Sequence, residues 1–263
     1  MVLHNGMIFR HDTHELGPGM LADLHCHNGI ELIYVRSGKL AHVVEGRRYI
    51  LTPGDLAVVH PSKYHYLEQL SADPYERYII QFDPQLHPID TSFLPKEIEV
   101  VRLKDGSVAA ELFSKMDYYC DRLDGTLFAT LLERMLEELF VNLQLISGEH
   151  RQEEGVLSPV LKRALSYIND HLFTITDVEE VAAALYVSSS YLFRLFRTSL
   201  HQSPKKYIRD KRLLAAQRKI RRGMNPTAAC QACGFKEYAT FFRCYNAFFG
   251  HAPSQDKPKG DLL

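Results

Sequence analysis

The chain has 263 residues, 46% of them hydrophobic and 24% charged, with five cysteines and a formal net charge of −1. This composition excludes disordered, collagen-like and disulfide-scaffold classes, and at roughly 150 residues per domain the length allows two modest domains. No window approaches the ~18 uninterrupted apolar residues of a membrane span and the start MVLHNGMIFR lacks the basic-then-apolar run of a secretory signal, so a cytoplasmic protein with free thiols and no membrane contact is expected. The near-zero charge conceals two unlike halves. Residues 1–150 hold 13 Lys and Arg against 22 Asp and Glu, a net of −9, whereas residues 151–263 hold 18 against 10, a net of +8. An asymmetry of this size suggests that the basic half meets a polyanion.

From about residue 20 to residue 82 the chain breaks into short β-branched and aromatic runs, ELIYVRSG, AHVVEG, RRYILTPGD, LAVVHP, YHYLEQL and ERYIIQF. Turn residues such as Ser37-Gly38, Gly46, Pro53-Gly54-Asp55 and Pro61 recur every eight to twelve positions, the rhythm of a small sandwich or barrel. After Pro95 the period changes. Segments 107–121 and 125–147 read as an amphipathic helical pair, Leu127, Leu131, Met135 and Leu139 falling four apart on the second. Its stripe suits either a dimer seam through Leu131 and Leu139 or packing against its own barrel. The charged, glycine-flanked stretch 148–155, GEHRQEEG, reads as a linker.

Residues 156–263 read as helices joined by short turns. Ser158-Pro159 opens the first, to about His171; Thr176 and Glu179 have the spacing of a capping box before a helix through Leu185; Ser188 or Ser189 caps the next. Pro204 begins a long basic helix ending at Gly223, Thr227 a short one ending at Gly234, and Tyr238–Phe249 the last, stopped by Gly250. The pairs 176–185 with 189–199 and 226–233 with 238–249 have the helix-turn-helix pattern, in which the second helix enters the major groove.

These residues resemble the C-terminal domain of AraC-type bacterial transcription regulators. The resemblance is carried by Ala182, Leu185, Val187-Ser188, Tyr191-Leu192, Phe196, Ser203-Pro204, Tyr207, Arg212-Leu213, Ala216, Gly234-Phe235, Phe241, Arg243 and Gly250-x-x-Pro253-Ser254. Departures are His201 where the family usually has Gly, Cys230 where Ala is usual, Tyr245 where Phe is usual, and Asn246 where a basic residue often stands; the last predicts weaker DNA contact by the second motif. By side-chain chemistry, Ser189, Ser190, Arg194 and Arg197 on the first recognition helix and Lys236, Glu237, Ala239, Thr240 and Arg243 on the second are the candidate base-reading groups. Lys205, Lys206, Arg209, Lys211 and Arg212 suit phosphates. Cys230-x-x-Cys233 has neither the further ligands of a zinc site nor the strand of a redox motif, and reads as packed thiols.

In the acidic half, Gly19-x5-His25-x-His27-x3-Glu31-x6-Gly38 resembles the first motif of cupin barrels, and His65 falls where their last ligand would. The second motif is incomplete. His25 and His27 share a strand face by period-two spacing; Glu31 joins them if the strand continues or bulges through Asn28-Gly29, and points away if those residues make a two-residue hairpin. Three imidazoles and a carboxylate suit zinc, iron, nickel or manganese, and equally a metal-free wall that hydrogen-bonds a small polar effector. His4, His11, His14, His42 and His87 show no ligand spacing and are expected on the surface.

The fold class expected is therefore α+β with two domains: residues 1–147, a cupin-like barrel (about 15–82) with a helical dimerisation segment (about 107–147), and residues 156–263, an all-α domain with two helix-turn-helix motifs. The function implied by the resemblance is a homodimeric transcriptional regulator that binds promoter duplex DNA, engages RNA polymerase and answers to a small effector, sugars being common among proteins of this type. The alternative is a cupin isomerase or dioxygenase with a helical assembly tail. The basic helix pairs favour the regulator, and no Ser-His-Asp, phosphate-loop or paired-carboxylate arrangement supports an enzyme.

Overall fold

The computed structural model describes residues 24–94, 100–146 and 158–256, together with residue 3, residues 6–15, residue 17 and residue 19. The chain divides into two compact units, Met1–Gly155 and Val156–Leu263. The linker expected at 148–155 and His4 lie outside the described residues.

The first unit runs β1 (Ile8–His14), β2 (Ile30–Ser37), β3 (Leu40–Val44), β4 (Arg47–Leu51), β5 (Asp55–Val59), β6 (His65–Gln69), β7 (Tyr75–Phe82), β8 (Val100–Arg102), α1 (Val108–Cys120) and α2 (Gly125–Leu145). The strands form two antiparallel sheets, ordered β1-β7-β2-β5-β8 and β4-β3-β6. Strands begin at Ile8 and end at Arg102, so the barrel extends beyond the 15–82 expected. β1 was hidden by its mixed sequence, IFRHDTH, and β8 is only three residues long.

Sheet alternation organises this unit. The central strand β2 is apolar almost throughout because both of its faces are covered. Ile30, Leu32 and Tyr34 join Phe9, Leu56, Val58, Tyr78, Ile80 and Phe82 in a core closed by Phe113 of α1 and Phe128, Leu132, Leu136, Leu139 and Phe140 of α2. Each such side chain taken out of water contributes about 1.5–3 kcal/mol. The alternate residues Ile33 and Val35 face the second sheet, meeting Leu40, Tyr49, Leu51 and Leu67. Glu31 falls on that same inner face. Gly38 ends β2 at φ +84°, where an added Cβ would lie 2.6 Å from Tyr75 Cβ; only glycine fits this corner.

The apolar stripe of α2 thus packs on its own barrel. Leu139 is fully buried there and Leu131 is partly buried against the same core, which corrects the expectation that Leu139 lies on a dimer seam.

The second unit is helical: α3 (Pro159–Asp170), α4 (Val178–Ala184), α5 (Ser189–Leu200), α6 (Pro204–Arg221), α7 (Pro226–Ala232) and α8 (Tyr238–Phe249). Local chemistry sets most of the boundaries. Ser188 Oγ accepts from Tyr191 N at 3.2 Å, Ser203 Oγ from Lys206 N at 3.2 Å and Asn225 Oδ1 from Thr227 N at 2.9 Å, each satisfying a donor at a helix start. The expected box at Thr176 and Glu179 sits one residue later: Asp177 caps Glu180 N at 2.9 Å, while Glu180 accepts from the Thr176 backbone and hydroxyl. Likewise α7 starts at Pro226 with Asn225 as its cap, not at Thr227.

Candidate functional site

Glu31, His25, His27 and His65 gather at one end of the barrel interior. The segment before β2 neither forms a tight hairpin nor continues β2 directly. His25 instead bridges His65 on the edge of the three-stranded sheet, and the chain then crosses through Asn28-Gly29 into β2 of the other sheet. This crossing brings the carboxylate to the imidazoles. Glu31 Oε2 lies 2.8 Å from His65 Nε2, 3.0 Å from His27 Nε2 and 4.0 Å from His25 Nε2, and one donor atom from each of the four residues falls within 4.8 Å of the others.

The outer nitrogens fix the tautomers. His27 Nδ1 faces the Gly29 carbonyl at 3.0 Å and His65 Nδ1 the Lys63 carbonyl at 3.0 Å. A carbonyl can only accept, so each Nδ1 carries a proton and a neutral ring presents its Nε2 lone pair to Glu31. Burial by itself would raise the Glu31 carboxyl, but hydrogen bonds and charge from His27 and His65 outweigh it and hold the group well below its usual range. Glu31 therefore does not supply the missing proton. The contact closes with a positive charge, either protons on both Nε2 atoms or a divalent cation among the four donors. Backbone carbonyls on the far nitrogens are also the arrangement that orients metal-binding histidines, so the residues fit a divalent ion.

His42, expected on the surface, is fully buried behind this cluster, its ring 6.1 Å from that of His65 and neither nitrogen hydrogen-bonded. Burial, reinforced by the His65 charge, pushes its pKa down to about 3, so it stays neutral. His87 is buried too, 3.0 Å from Glu133 of α2. His11 Nε2 and Nδ1 each lie 2.7 Å from a carboxylate oxygen, of Glu76 and Asp117, and His14 lies 3.7 Å from Asp12. A cavity of about 170 Å³ opens beside the cluster, lined among others by Arg10, His25, Glu31, His65, Arg77 and Gln81.

In the second unit Ser189 and Ser190 open α5 with Arg194 at mid-helix and Arg197 in the last turn, and Lys236 to Thr240 lie at the start of α8 with Arg243 at mid-helix. On α5, Ser190, Arg194 and Arg197 are exposed and Ser189 is half-buried, while Leu192, Phe196 and Leu200 face the core. Lys236, Glu237, Ala239, Thr240 and Arg243 are all exposed at α8, whose inner face is Phe241 and Tyr245. Lys205, Lys206 and Arg209 are exposed on α6, Lys206 and Arg209 bonding the buried Asp210 at 2.7 and 2.9 Å. Lys206, Arg209, Thr240 and Arg243 line one groove, so the basic turn of α6 and the leading turns of α8 address the same space.

Two residues assigned to phosphates do other work. Lys211 is buried over the Tyr207 ring at 5.0 Å, and Arg212 donates to the carbonyls of Leu172, Ile175 and Gly234 at 2.7, 2.5 and 3.0 Å. Arg212 thus ties the loop before α4 to the turn after α7. That turn needs Gly234, at φ +77°, because a Cβ there would collide with the Phe173 carbonyl. Cys230 and Cys233 are buried in an apolar core, and burial raises both thiols, Cys233 to about 11, leaving them inert.

Two helix pairs whose second helices are exposed and carry arginine, in a chain that also holds a barrel with polar groups on its inner wall, define a transcription regulator with a sensor domain. Sequence comparison agrees. A profile described as "AraC-like ligand binding domain" matches residues 5–152, and one described as "Helix-turn-helix domain" matches residues 181–257. The chain belongs to the AraC family of helix-turn-helix transcriptional regulators, a family of regulators and not of enzymes. It is 27% identical over 139 residues to the HTH-type transcriptional regulator GbdR of Pseudomonas aeruginosa, an alignment covering 50% of this chain and 38% of that protein. It is 30% identical over 96 residues to the regulatory protein SoxS of Salmonella typhimurium, covering 36% of this chain and 90% of SoxS. Against the raffinose operon regulatory protein RafR of Pediococcus pentosaceus the identity is 20% over 229 residues, 84% of this chain and 82% of RafR. No helix among the described residues is long and apolar enough to cross a membrane.

Proposed function

We propose that the chain regulates transcription by binding promoter duplex DNA through α5 and α8, under the control of a small effector held in the barrel. The observation that carries this reading is the pair of exposed helices bearing Ser190, Arg194 and Arg197, and Lys236, Thr240 and Arg243, each held by a short preceding helix. Arginine supplies bidentate donors to guanine and the hydroxyl side chains adapt to either strand partner. Each helix enters one major-groove segment, the two about one turn of duplex apart. Selection of the full chain on random duplexes tests this: a bipartite motif is expected, and a pool that enriches no sequence would refute it.

The effector seat in this reading is the cavity beside His25, His27, Glu31 and His65. Those four donors would hold a zinc, iron, nickel or manganese ion, which when bound supplies a Lewis-acidic point for an oxygen ligand. RNA polymerase is the further partner expected of such a regulator.

A homodimer completes the proposal. The line of α2 away from the core runs Leu127, Leu131, Arg134, Glu138, Val141 and Leu145, with Leu131 half-buried at its margin, alternating four and three residues as a two-helix seam requires. The line is complementary to itself when reversed. In an antiparallel pair Leu127 meets the partner's Leu145, Leu131 meets the partner's Val141, and Arg134 meets the partner's Glu138. Leu127, Val141 and Leu145 are exposed by 53%, 44% and 76%, so a second copy would cover apolar surface the barrel leaves open.

A further inference from the structure

One wall of the barrel cavity carries positive charge that its neighbours compensate only in part. By strand register, Arg10 and Asp12 of β1, Arg77, Ile79 and Gln81 of β7, and Glu31, Ile33 and Val35 of β2 share the inner face of the larger sheet. Arg10 and Arg77 both line the cavity. Among the described residues Arg77 makes no ion pair, and its Nε is buried with no hydrogen-bond partner. Its neighbours do not neutralise it. Glu31 is engaged by two histidines, and Asp12, opposite Arg77 in the register, lies 3.7 Å from His14. The guanidinium carbon stands 5.2 Å from the Tyr75 ring centroid. Burial disfavours the charged form of Arg77, with the Arg10 charge adding to that, while Tyr75, Glu31 and Asp12 oppose it only in part.

We propose that the effector is a small organic anion whose carboxylate or phosphate group is received by Arg77 and Arg10. This rests on the reading of the barrel as an effector site. A planar guanidinium with unused donors matches a two-oxygen anionic group, which accepts two parallel hydrogen bonds and neutralises the charge in one contact. A neutral sugar does the first weakly and the second not at all. The cavity's size agrees: about 170 Å³ is below the ~300–1,000 Å³ of drug-sized ligand pockets, and holds a short-chain acid or phosphate but no long aliphatic tail. Gln81 and His25 line the same cavity and complete the polar end of the seat.

Thermal melting and calorimetric titration of the full chain test the proposal, with acetate, succinate, inorganic phosphate and glucose as probes at millimolar concentration. At least one anion should raise the melting temperature of the wild type, with acetate and succinate against phosphate separating the two sources of the charge. Arg77→Gln should weaken that anion by about tenfold or more, and Arg77→Lys by less, because the point charge remains without the fork. Ligand-free Arg77→Gln should melt at or above the wild type, since it removes a half-buried charge that its neighbours offset only in part. Three results would overturn the proposal: no anion shifts the wild type, glucose binds wild type and Arg77→Gln alike, or ligand-free Arg77→Gln melts well below the wild type, which makes the guanidinium a structural element. The duplex selection described above does not involve Arg77, so its outcome judges the regulator reading separately.

Discussion

Glu31 on β2 and His65 on β6, 34 residues apart and on different sheets, meet at 2.8 Å through Oε2 and Nε2, with the His65 Nδ1 proton already committed to the Lys63 carbonyl. The same oxygen also receives His27 Nε2 at 3.0 Å. One carboxylate oxygen facing two imidazole nitrogens needs positive charge between them, which makes this pair the most demanding contact in the barrel.

From this follows a prediction about metal. After dialysis against a chelator, the full chain should bind one cobalt(II) ion per chain, read by its visible absorption, and Glu31→Gln should weaken that binding by at least about tenfold, in the range found when a ligand or its support is lost. Wild-type protein showing no cobalt spectrum at millimolar metal would assign the contact to doubly protonated histidines.

Pairing of α2 with a second copy predicts a charge-swap result. Arg134→Glu or Glu138→Arg alone should place like charges face to face and shift the dimer toward monomer in sedimentation, whereas the double exchange should restore it. Equal dissociation in the double variant would place the interface elsewhere. Leu139→Asp is unsuitable for this purpose, because it buries a charge in the barrel core and should cost about 3–5 kcal/mol of folding stability.

Asp256 should make the second unit sensitive to acid. It accepts from Tyr245 Oη at 2.6 Å, Arg221 Nε at 2.8 Å and Gln217 Nε2 at 3.1 Å. Burial alone would raise its carboxyl, but these bonds and the Arg221 charge hold it below the usual range. A carboxyl depressed in the folded state adds stability that is complete above its unfolded pKa of ~3.9 and is lost as pH falls through the lower folded value. Stability against denaturant should therefore fall below about pH 4. Asp256→Asn should flatten that dependence and cost about 1–3 kcal/mol at neutral pH. A variant as stable as the wild type and with the same acid limb would contradict the assignment.

DNA contacts should separate by type. Arg194→Ala and Arg243→Ala are each expected to lose about 1–3 kcal/mol on the selected site and to relax preference at one position, while Lys205→Ala weakens all sequences alike and lowers the salt slope by about one. Uniform losses from all three would make α5 and α8 backbone binders.

Much of this was legible in the sequence because it rests on local rules. The strand runs 30–82 follow from turn residues, the starts of α5 and α6 from the caps Ser188 and Ser203, and that of α3 from Pro159 at its first turn, although Ser158 makes no capping bond, and the spacing of His25 and His27 already pointed to one face. What the sequence hid depends on partners distant along the chain. His42 and His87 read as surface groups because nothing nearby in sequence buries them; the second sheet and α2 do. Lys211 and Arg212 look like their basic neighbours, and only the carbonyls of Leu172, Ile175 and Gly234 show that Arg212 is structural. The departures from the family pattern become physical in the same way. His201 sits at φ +51°, a left-handed position costing a non-glycine residue about 1–2 kcal/mol, and Tyr245 brings a hydroxyl because Asp256 is there to accept from it.

Paired reading by α5 and α8 is tested most directly by the affinity of the full chain for its selected duplex after about five base pairs, half of a 10–10.5 bp turn, are inserted between the two recognised segments. Two reading helices carried by one compact unit cannot follow segments moved to opposite faces of the duplex. Binding should fall to the level of a site containing one segment alone. Affinity unchanged by the insertion would contradict it, because a single helix pair would then be doing the reading.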